Sequence, residues 1–145
     1  IDHIDDLNRR IGELDKLVQE YMAEYEAAIE AIDEIPGIAR RSAEVILAEI
    51  GLDMGRFPSA AHLCSWAGVC PGNYQSAGRR KHGKTTKGNK ALKTILTQCA
   101  KSAKTVKSSY FFAQYQRISA RRGKNRATLA VAHSMLIAIY HIPRF

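Results

Sequence analysis

Apolar residues recur every three or four positions along the first 35 residues of the chain. This spacing places them on one side of an α-helix, as in the seam of a heptad repeat. Charged and polar residues fill most of the positions between them, and only Gly12 weakens the pattern. We therefore predict one long helix with the following apolar seam: Ile4, Leu7, Ile11, Leu14, Val18, Tyr21, Tyr25, Ala28, Ile32 and Ile35.

A lone helix of this kind would leave its apolar seam in water, so the seam must pack against a partner. Two arrangements are equally consistent with the sequence: a coiled coil with another subunit, or an amphipathic helix folded onto the rest of its own chain. We assign residues 1–34 to a coiled-coil helix and residues 35–145 to a compact helical domain. We expect a homo-oligomer through residues 1–34, and we expect that deleting residues 1–30 abolishes self-association without unfolding the rest.

The charges are divided very unevenly along the chain. Residues 1–54 hold all 14 carboxylates and only five cations, a net charge of −9, whereas residues 55–145 hold the other 17 lysines and arginines and no acidic side chain. A basic surface without acids is favoured beside a polyanion, because binding releases counterions from the phosphates. The bland alternative is a merely solvated basic surface. We expect nucleic acid as the partner.

The rest of the chain also has helical spacing, and no segment alternates with a period of two. Pro36-Gly37 separates the first helix from the second. Residues 69–88 have many glycines and no apolar periodicity, which predicts one long exposed loop. We predict an all-α fold and place Trp66 in its core. The later helices begin near Ala39, Ser59, Asn89, Tyr110 and Ala127.

The turn at Pro36-Gly37 resembles a helix-hairpin-helix motif, in which a glycine lets the backbone approach a phosphate. Arg40 and Arg41 follow at the start of the next helix, where they would add positive charge. A Pro-Gly pair is also a common turn between helices, so both interpretations stay open. On the first of them, Gly37, Arg40 and Arg41 are candidate nucleic-acid-binding residues.

The glycine-rich loop holds the candidate chemistry. Paired carboxylates cannot act in this half of the chain, because none follows Asp53. Ser76 stands shortly before three cations, which would favour an attacking serine alkoxide and neutralise the charge that develops on the phosphate. On spacing alone, a serine in a turn beside a phosphate-binding arm is the more common case. The candidate nucleic-acid-binding residues here are Gly78, Arg79, Arg80, Lys81, Lys84, Lys87, Lys90 and Lys93.

Cys64, Cys70 and Cys99 form no Cys-x-x-Cys pair, which fits neither a disulfide framework nor a zinc module. We expect reduced core thiols and no cofactor in this chain. A metal site that combines His62 and His82 with the cysteines is disfavoured for lack of a paired spacing. No signal-peptide pattern is present, and the apolar run from Thr128 to Tyr140 is too short to span a bilayer. We expect an intracellular protein that does not associate with a membrane.

Several short motifs follow one another along the chain: Ile35-Pro36-Gly37-Ile38, Phe57-Pro58-Ser59, Ala67-Gly68-Val69-x-Pro71, Ser76-x-Gly78, Gly83-Lys84-x-Thr86-Lys87-Gly88-Asn89-x-x-Leu92-Lys93-x-x-Leu96 and Arg122-Gly123-Lys124. Together they resemble the C-terminal transposase domain of the DEDD class of insertion-sequence transposases. These are relatives of Piv-type DNA invertases and are described as bridge-RNA-guided recombinases. The resemblance runs from about Ile32 to the end of the chain.

This resemblance implies a DNA transposase or recombinase in which Ser76 attacks DNA and forms a covalent phosphoserine. In that family a RuvC-like N-terminal domain supplies acidic residues that bind Mg²⁺, and a coiled-coil region, matched here by residues 1–34, joins it to this domain. Since the sequence begins at Ile1 without methionine, we interpret it as a piece of a longer protein and expect it to be inactive alone. The implied partners are DNA and a structured guide RNA, and the implied location is the prokaryotic cytoplasm, at the nucleoid when DNA is bound. The alternative is a non-catalytic nucleic-acid-binding module of the helix-hairpin-helix type, which would form no covalent adduct with DNA.

Overall fold

The structure, a computed structural model, describes residues 1–70, 75–76, 78–80 and 87–142. The all-α prediction is confirmed, and the described residues depart from it only in an antiparallel ladder of two residues per strand. Two 3-10 turns, Ala23–Tyr25 and Met54–Arg56, accompany the helices. The other elements are α1 (Asp2–Tyr21), α2 (Glu26–Asp33), α3 (Arg40–Ile50), α4 (Ala60–Ala67), β1 (Gln75–Ser76), β2 (Arg79–Arg80), α5 (Lys90–Ala103), α6 (Tyr110–Arg122) and α7 (Lys124–Tyr140).

Local sequence signals determine where several helices begin and end. Helices α4, α5 and α6 follow the N-cap residues Ser59, Asn89 and Ser109. Each cap oxygen accepts a hydrogen bond from the backbone N–H three residues further on, at 3.4, 3.0 and 3.1 Å respectively. Helices α4 and α6 end at Gly68 and Gly123, whose positive φ angles of 77° and 88° favour glycine.

Helix α7 lies at the centre of the core and packs against α4, α5 and α6. Helices α2 and α3 pack on each other, and α3 also packs on α5. Burying one leucine or isoleucine side chain contributes about 1.5 to 3 kcal/mol, so the α7 surface accounts for much of the stability. Its buried residues repeat at helical spacing: Ala127, Thr128, Val131, Ala132, Met135, Leu136 and Ile139.

The prediction of one long helix over residues 4–35 is wrong, because the helix is interrupted at Met22. Helix α1 ends at Tyr21, and a 3-10 turn precedes α2. The reason is that α2 packs its apolar residues Ala28, Ile29 and Ile32 into the core, whereas α1 has no buried residue. Because of the break at Met22, the α2 half of the seam packs into the core while the α1 half extends away from it.

The apolar side of α1 lies in solvent within this chain. The exposed fractions of Ile4, Leu7, Ile11 and Leu14 range from 45% to 61%. The structure therefore does not show α1 folded onto the core of its own chain, which is one of the two arrangements that the sequence allows. No helix among the described residues is long and apolar enough to cross a membrane.

Candidate catalytic loop and nucleic-acid interface

The two ends of the glycine-rich loop are held together at the C-terminus of α4. On the entering side, Val69 N donates to Cys64 O at 3.1 Å; on the returning side, Asn89 N donates to Trp66 O at 3.1 Å. A Cβ atom added to Gly88 would lie 2.3 Å from Gly68 N, so only glycine fits at this crossing. The loop therefore leaves and re-enters the domain at one point, which we call the loop base.

Trp66 belongs to this loop base and not to the core, so its predicted core position is wrong. Its side chain is 37% exposed. The exposure arises because α4 turns Leu63, Cys64 and Ala67 inward and leaves Trp66 on its outer face. The indole contacts the ring of Phe57, with 5.6 Å between the centroids. The sole tryptophan of the chain thus lies where it can report events at the loop.

Within the loop, β1 and β2 form a short antiparallel hairpin. The register pairs Ser76 with Arg79 and Gln75 with Arg80. Gly78, in the turn, has a φ of 74°, a conformation that glycine adopts without steric cost. The pairing makes Ser76 and Arg79 direct neighbours across the ladder. The predicted binding residues Lys81 and Lys84 lie outside the described residues.

Asn89 links the loop to the start of α5. Its Oδ1 accepts the backbone N–H of Leu92 at 3.0 Å, and its Nδ2 donates to Glu49 Oε2 at 2.7 Å. Glu49 lies near the end of α3, so this carboxylate fixes the orientation of the cap from a distant helix. Sequence reasoning missed this role of Glu49, although asparagine before an apolar helix was a recognisable N-cap signal.

The lysines of α5 and its C-cap, which are Lys90, Lys93, Lys101 and Lys104, lie on one face of the helix, and Lys87 precedes them in the loop. Lys87 and Lys90 are exposed beside the loop base, and Lys93 is half-buried. Further along, Lys101 is exposed, whereas the Lys104 ammonium lies 5.3 Å from the ring centroid of Tyr115. The opposite face is buried. The predicted binding residues Lys87 and Lys90 thus lie beside the loop base, and further cations continue along the same face of α5.

The two arginines of the helix hairpin form ion pairs with acidic residues. Arg40 makes a two-pronged contact with Glu26, with both N···O distances 2.7 Å. Arg41 donates to Asp15 of α1 at 2.8 Å and to Glu44 at 3.3 Å. The hydrogen bond from Arg40 holds the pKa of the Glu26 carboxyl below its usual range, and the bond to Glu26 raises the pKa of Arg40. A phosphate at this position would have to compete with carboxylates.

Gly37, the other predicted member of the hairpin site, lies against α5. Its φ is 92°, and an added Cβ would stand 2.6 Å from Cys99 O and 2.7 Å from Ala103 N. Close packing of the turn on α5 is therefore a sufficient physical reason for glycine here. Its role toward a phosphate stays a prediction.

Residues 29–116, more than half of the chain, match the family described as "Transposase IS116/IS110/IS902 family". The chain belongs to this transposase family. Over 67 residues it is also 39% identical to the "Insertion element IS110 uncharacterized 43.6 kDa protein" of Streptomyces coelicolor. That match covers 45% of the chain and 16% of the relative, so the chain spans a small part of the length of the protein it matches. Membership of the insertion-sequence transposases, predicted from the motifs, is confirmed at this level.

The transposase-family segment begins at Ile29, a fully buried residue of α2. It includes the loop base, the hairpin of Ser76 and the whole of α5, and it ends within α6. Helices α1 and α7 lie outside it. The family match therefore covers the part of the core that holds both ends of the loop.

The three cysteines of this transposase-family chain are free thiols, as expected, with Cys64 and Cys99 buried and Cys70 half-buried. Burial, and secondarily the neighbouring Cys70, raises the pKa of Cys64 to about 12, so its thiol stays protonated at neutral pH. Burial also raises the pKa of the other two. These thiols are poor nucleophiles. Among the described residues, no three His, Cys, Asp or Glu side chains are grouped so as to hold a metal ion.

Proposed function

We propose that this chain is the part of a DNA transposase that holds the DNA backbone and supplies Ser76 as the nucleophile for strand cleavage and exchange. The observation that carries the proposal is the hairpin register, which pairs Ser76 with Arg79. The two ends of the loop are also fixed in position, since hydrogen bonds join both of them to α4. The family supplies the class of reaction.

In the proposed reaction, the Ser76 hydroxyl oxygen attacks a phosphorus atom of the DNA strand. A bond from serine oxygen to phosphorus forms while one phosphorus–oxygen bond of the strand breaks. The serine loses its proton, and the departing oxygen takes one up. One phosphate ester replaces another, so the hydroxyl of a second strand can attack the phosphoserine and complete the exchange without an outside energy source. Arginines near the attacked phosphate neutralise charge that develops in the transition state.

The cations of the loop and of α5 hold the phosphate backbone in this proposal. Arg79 and Arg80 lie on β2, Lys87 precedes α5, and Lys90 and Lys93 lie in its first turns. Arg40 and Arg41 contribute to DNA binding only if phosphates displace Glu26 and Asp15. A structured guide RNA, which the family resemblance implies, would be held through its phosphates by the same kind of contact.

The resemblance also implies Mg²⁺. The described residues offer no suitable group of ligands, so we propose that carboxylates of another domain of the longer protein bind the ion. On this proposal the 145-residue chain by itself binds DNA but does not cleave it.

A non-catalytic nucleic-acid-binding module is the second candidate function, favoured by the helix, glycine turn and helix formed by α2, Gly37 and α3. A trapping experiment separates the two candidates. Full-length transposase is incubated with end-labelled DNA and Mg²⁺ and then denatured. Label that stays with the protein, and that proteolysis and mass spectrometry map to a phosphoserine, supports the catalytic proposal, whereas complete release of the DNA supports the binding module.

Neutralising the cations of the loop should weaken DNA binding strongly. In the variant Arg79→Gln/Arg80→Gln/Lys81→Gln, the Kd for duplex DNA is expected to rise about tenfold or more. The slope of log Kd against log salt should fall by up to about 0.9 per lost phosphate contact. The fluorescence of Trp66 provides the measurement, because this residue lies at the loop base. Arg9→Gln/Arg10→Gln/Lys16→Gln removes the same charge from α1 and serves as the control; equal weakening by both variants would contradict a specific role of the loop.

We further propose that the exposed apolar side of α1 pairs with α1 of a second copy of the chain. Heptad spacing suits such a helix pair, and Ile4, Leu7, Ile11 and Leu14 have no covering partner among the described residues. The pairing would bring two loops into one assembly, as the exchange of two strands requires.

Removing residues 1–21 is expected to abolish self-association and leave the melting temperature of the remaining domain nearly unchanged, because α1 has no buried residue. The deletion has to stop there. Removing residues 1–30, as considered from the sequence, would take Ala28 and Ile29 out of the core. Sedimentation and circular dichroism measure mass and stability. The same oligomeric state for the whole and the truncated chain would exclude α1 as the oligomer contact.

A further inference from the structure

The turn between α6 and α7 presents a second concentrated basic surface. All residues from Ala120 to Arg126 are exposed, and so is Arg117 one turn earlier on α6. Gly123, with a φ of 88°, reverses the chain between the two helices. The family match ends at residue 116, just before this surface. We call its five cations the elbow: Arg117, Arg121, Arg122, Lys124 and Arg126.

The positions of these cations do not favour the stability of α7. The first turn of a helix carries partial positive charge, so the ammonium group of Lys124 is repelled there, whereas an acid would be favoured. The chain holds no acidic side chain after Asp53. An anion bound at the elbow would relieve the repulsion of Lys124.

The chemistry of the elbow selects the kind of anion. One arginine guanidinium group can donate two parallel hydrogen bonds to the oxygens of one phosphate. Residues 117–126 include no aromatic side chain, so they offer no ring on which unpaired bases could stack. They also have no exposed large apolar residue, which a helix needs to enter a lipid surface. These features match the backbone of a duplex.

The loop base and the elbow both adjoin α7. His133 Nδ1, near the middle of α7, lies 4.0 Å from Cys70 Sγ at the loop base. Lys124 precedes His133 by nine residues, which corresponds to about 14 Å along the helix axis. That separation is less than one turn of B-DNA, which is about 34 Å. In distance along the axis of α7, the elbow is therefore within the reach of a duplex engaged at the loop.

We propose that the elbow binds the phosphate backbone of duplex DNA flanking the segment held at the loop. This inference rests on the proposed function, to which it adds a second contact surface. The elbow sets affinity for DNA beyond the reaction site and takes no part in the chemistry.

The test compares three forms of the 145-residue chain. Arg117→Gln/Arg121→Gln/Arg122→Gln removes three charges from the elbow, and Arg9→Gln/Arg10→Gln/Lys16→Gln removes three from α1, where Arg9 and Arg10 already pair with acids. Duplexes of about 30 base pairs, roughly three turns, are titrated at several salt concentrations. The elbow variant should bind about tenfold or more weakly, with a salt slope lower by about 2 to 3. The α1 variant should match the parent within about twofold.

Lys124→Glu is the second variant, and it separates binding from stability. A glutamate suits the start of α7, so the melting temperature should stay the same or rise while DNA affinity falls. A parental affinity in both elbow variants would overturn the inference and leave the proposed function intact. Weakening limited to duplex RNA, or to phosphatidylserine vesicles, would also overturn it by identifying another partner. A parent chain that binds no DNA at all would overturn the proposed function as well.

Discussion

Replacing Ser76 with alanine in a full-length transposase that carries this chain is expected to abolish strand exchange and the covalent protein–DNA adduct. The rate should fall at least about a thousandfold, since removal of a nucleophile leaves only the contributions of binding and charge stabilisation. DNA affinity should change less than about twofold, because one hydroxyl contributes little beside so many cations. Recombination assays and the trapping of labelled DNA measure the first effect, and equilibrium titration measures the second.

The control is Ser102→Ala, at an exposed serine on α5 outside the proposed machinery. It should recombine at the parental rate. The loop variant Arg79→Gln/Arg80→Gln/Lys81→Gln should differ from both, with losses in binding and in rate, because its charges contact the phosphate before and during the reaction. A parental rate in Ser76→Ala would show that another hydroxyl attacks, with Tyr74 the nearest candidate along the sequence, or that the domain only binds DNA.

Replacing Gly37 with alanine is expected to lower the free energy of unfolding by about 2 to 5 kcal/mol. A left-handed backbone costs a non-glycine residue about 1 to 2 kcal/mol, and forcing an extra methyl group into a packed site costs about 1 to 3 kcal/mol. The methyl group would stand 2.6 Å from Cys99 O and 2.7 Å from Ala103 N, so α5 must move. Thermal unfolding followed by circular dichroism should show a decrease in Tm of about 4 to 20 °C.

Gly12→Ala provides the matched control for this substitution. An added Cβ at Gly12 meets nothing within 4 Å, and alanine favours the interior of α1. Helix content should stay the same or rise, with no decrease in Tm. An equal Tm for Gly37→Ala and Gly12→Ala would refute the contact between the helix hairpin and α5. That result would support the interpretation of Gly37 as a phosphate-binding glycine.

Several parts of the fold were predictable because their causes are local. Apolar residues at helical spacing identified the helices, and Ser59 and Asn89 marked two of their starts. The absence of alternating segments indicated an all-α fold, which the structure confirms. The motifs from Ile35 to Leu96 were specific enough together to identify the transposase family.

The misassigned positions share another property: they depend on what lies beside a residue in space. The prediction that Trp66 lies in the core is wrong because α4 directs Leu63 and Ala67 inward and leaves the indole on the outside. The helix seam looked continuous through Met22 because spacing alone does not show that Ile29 enters a core while Ile11 does not.

By itself the sequence determined which segments are helical and how the charges divide between the halves of the chain, since both follow from neighbouring residues. Only the tertiary structure decided which cations meet acids and which glycines are needed for packing. Arg41 pairs with Asp15, Asn89 with Glu49, and Gly37 packs against Cys99. The members of each pair lie far apart along the chain, so no local pattern relates them. Burial of the apolar faces of α2 to α7 forces those helices into one arrangement, which brings Asn89 to Glu49 and Gly37 to Cys99.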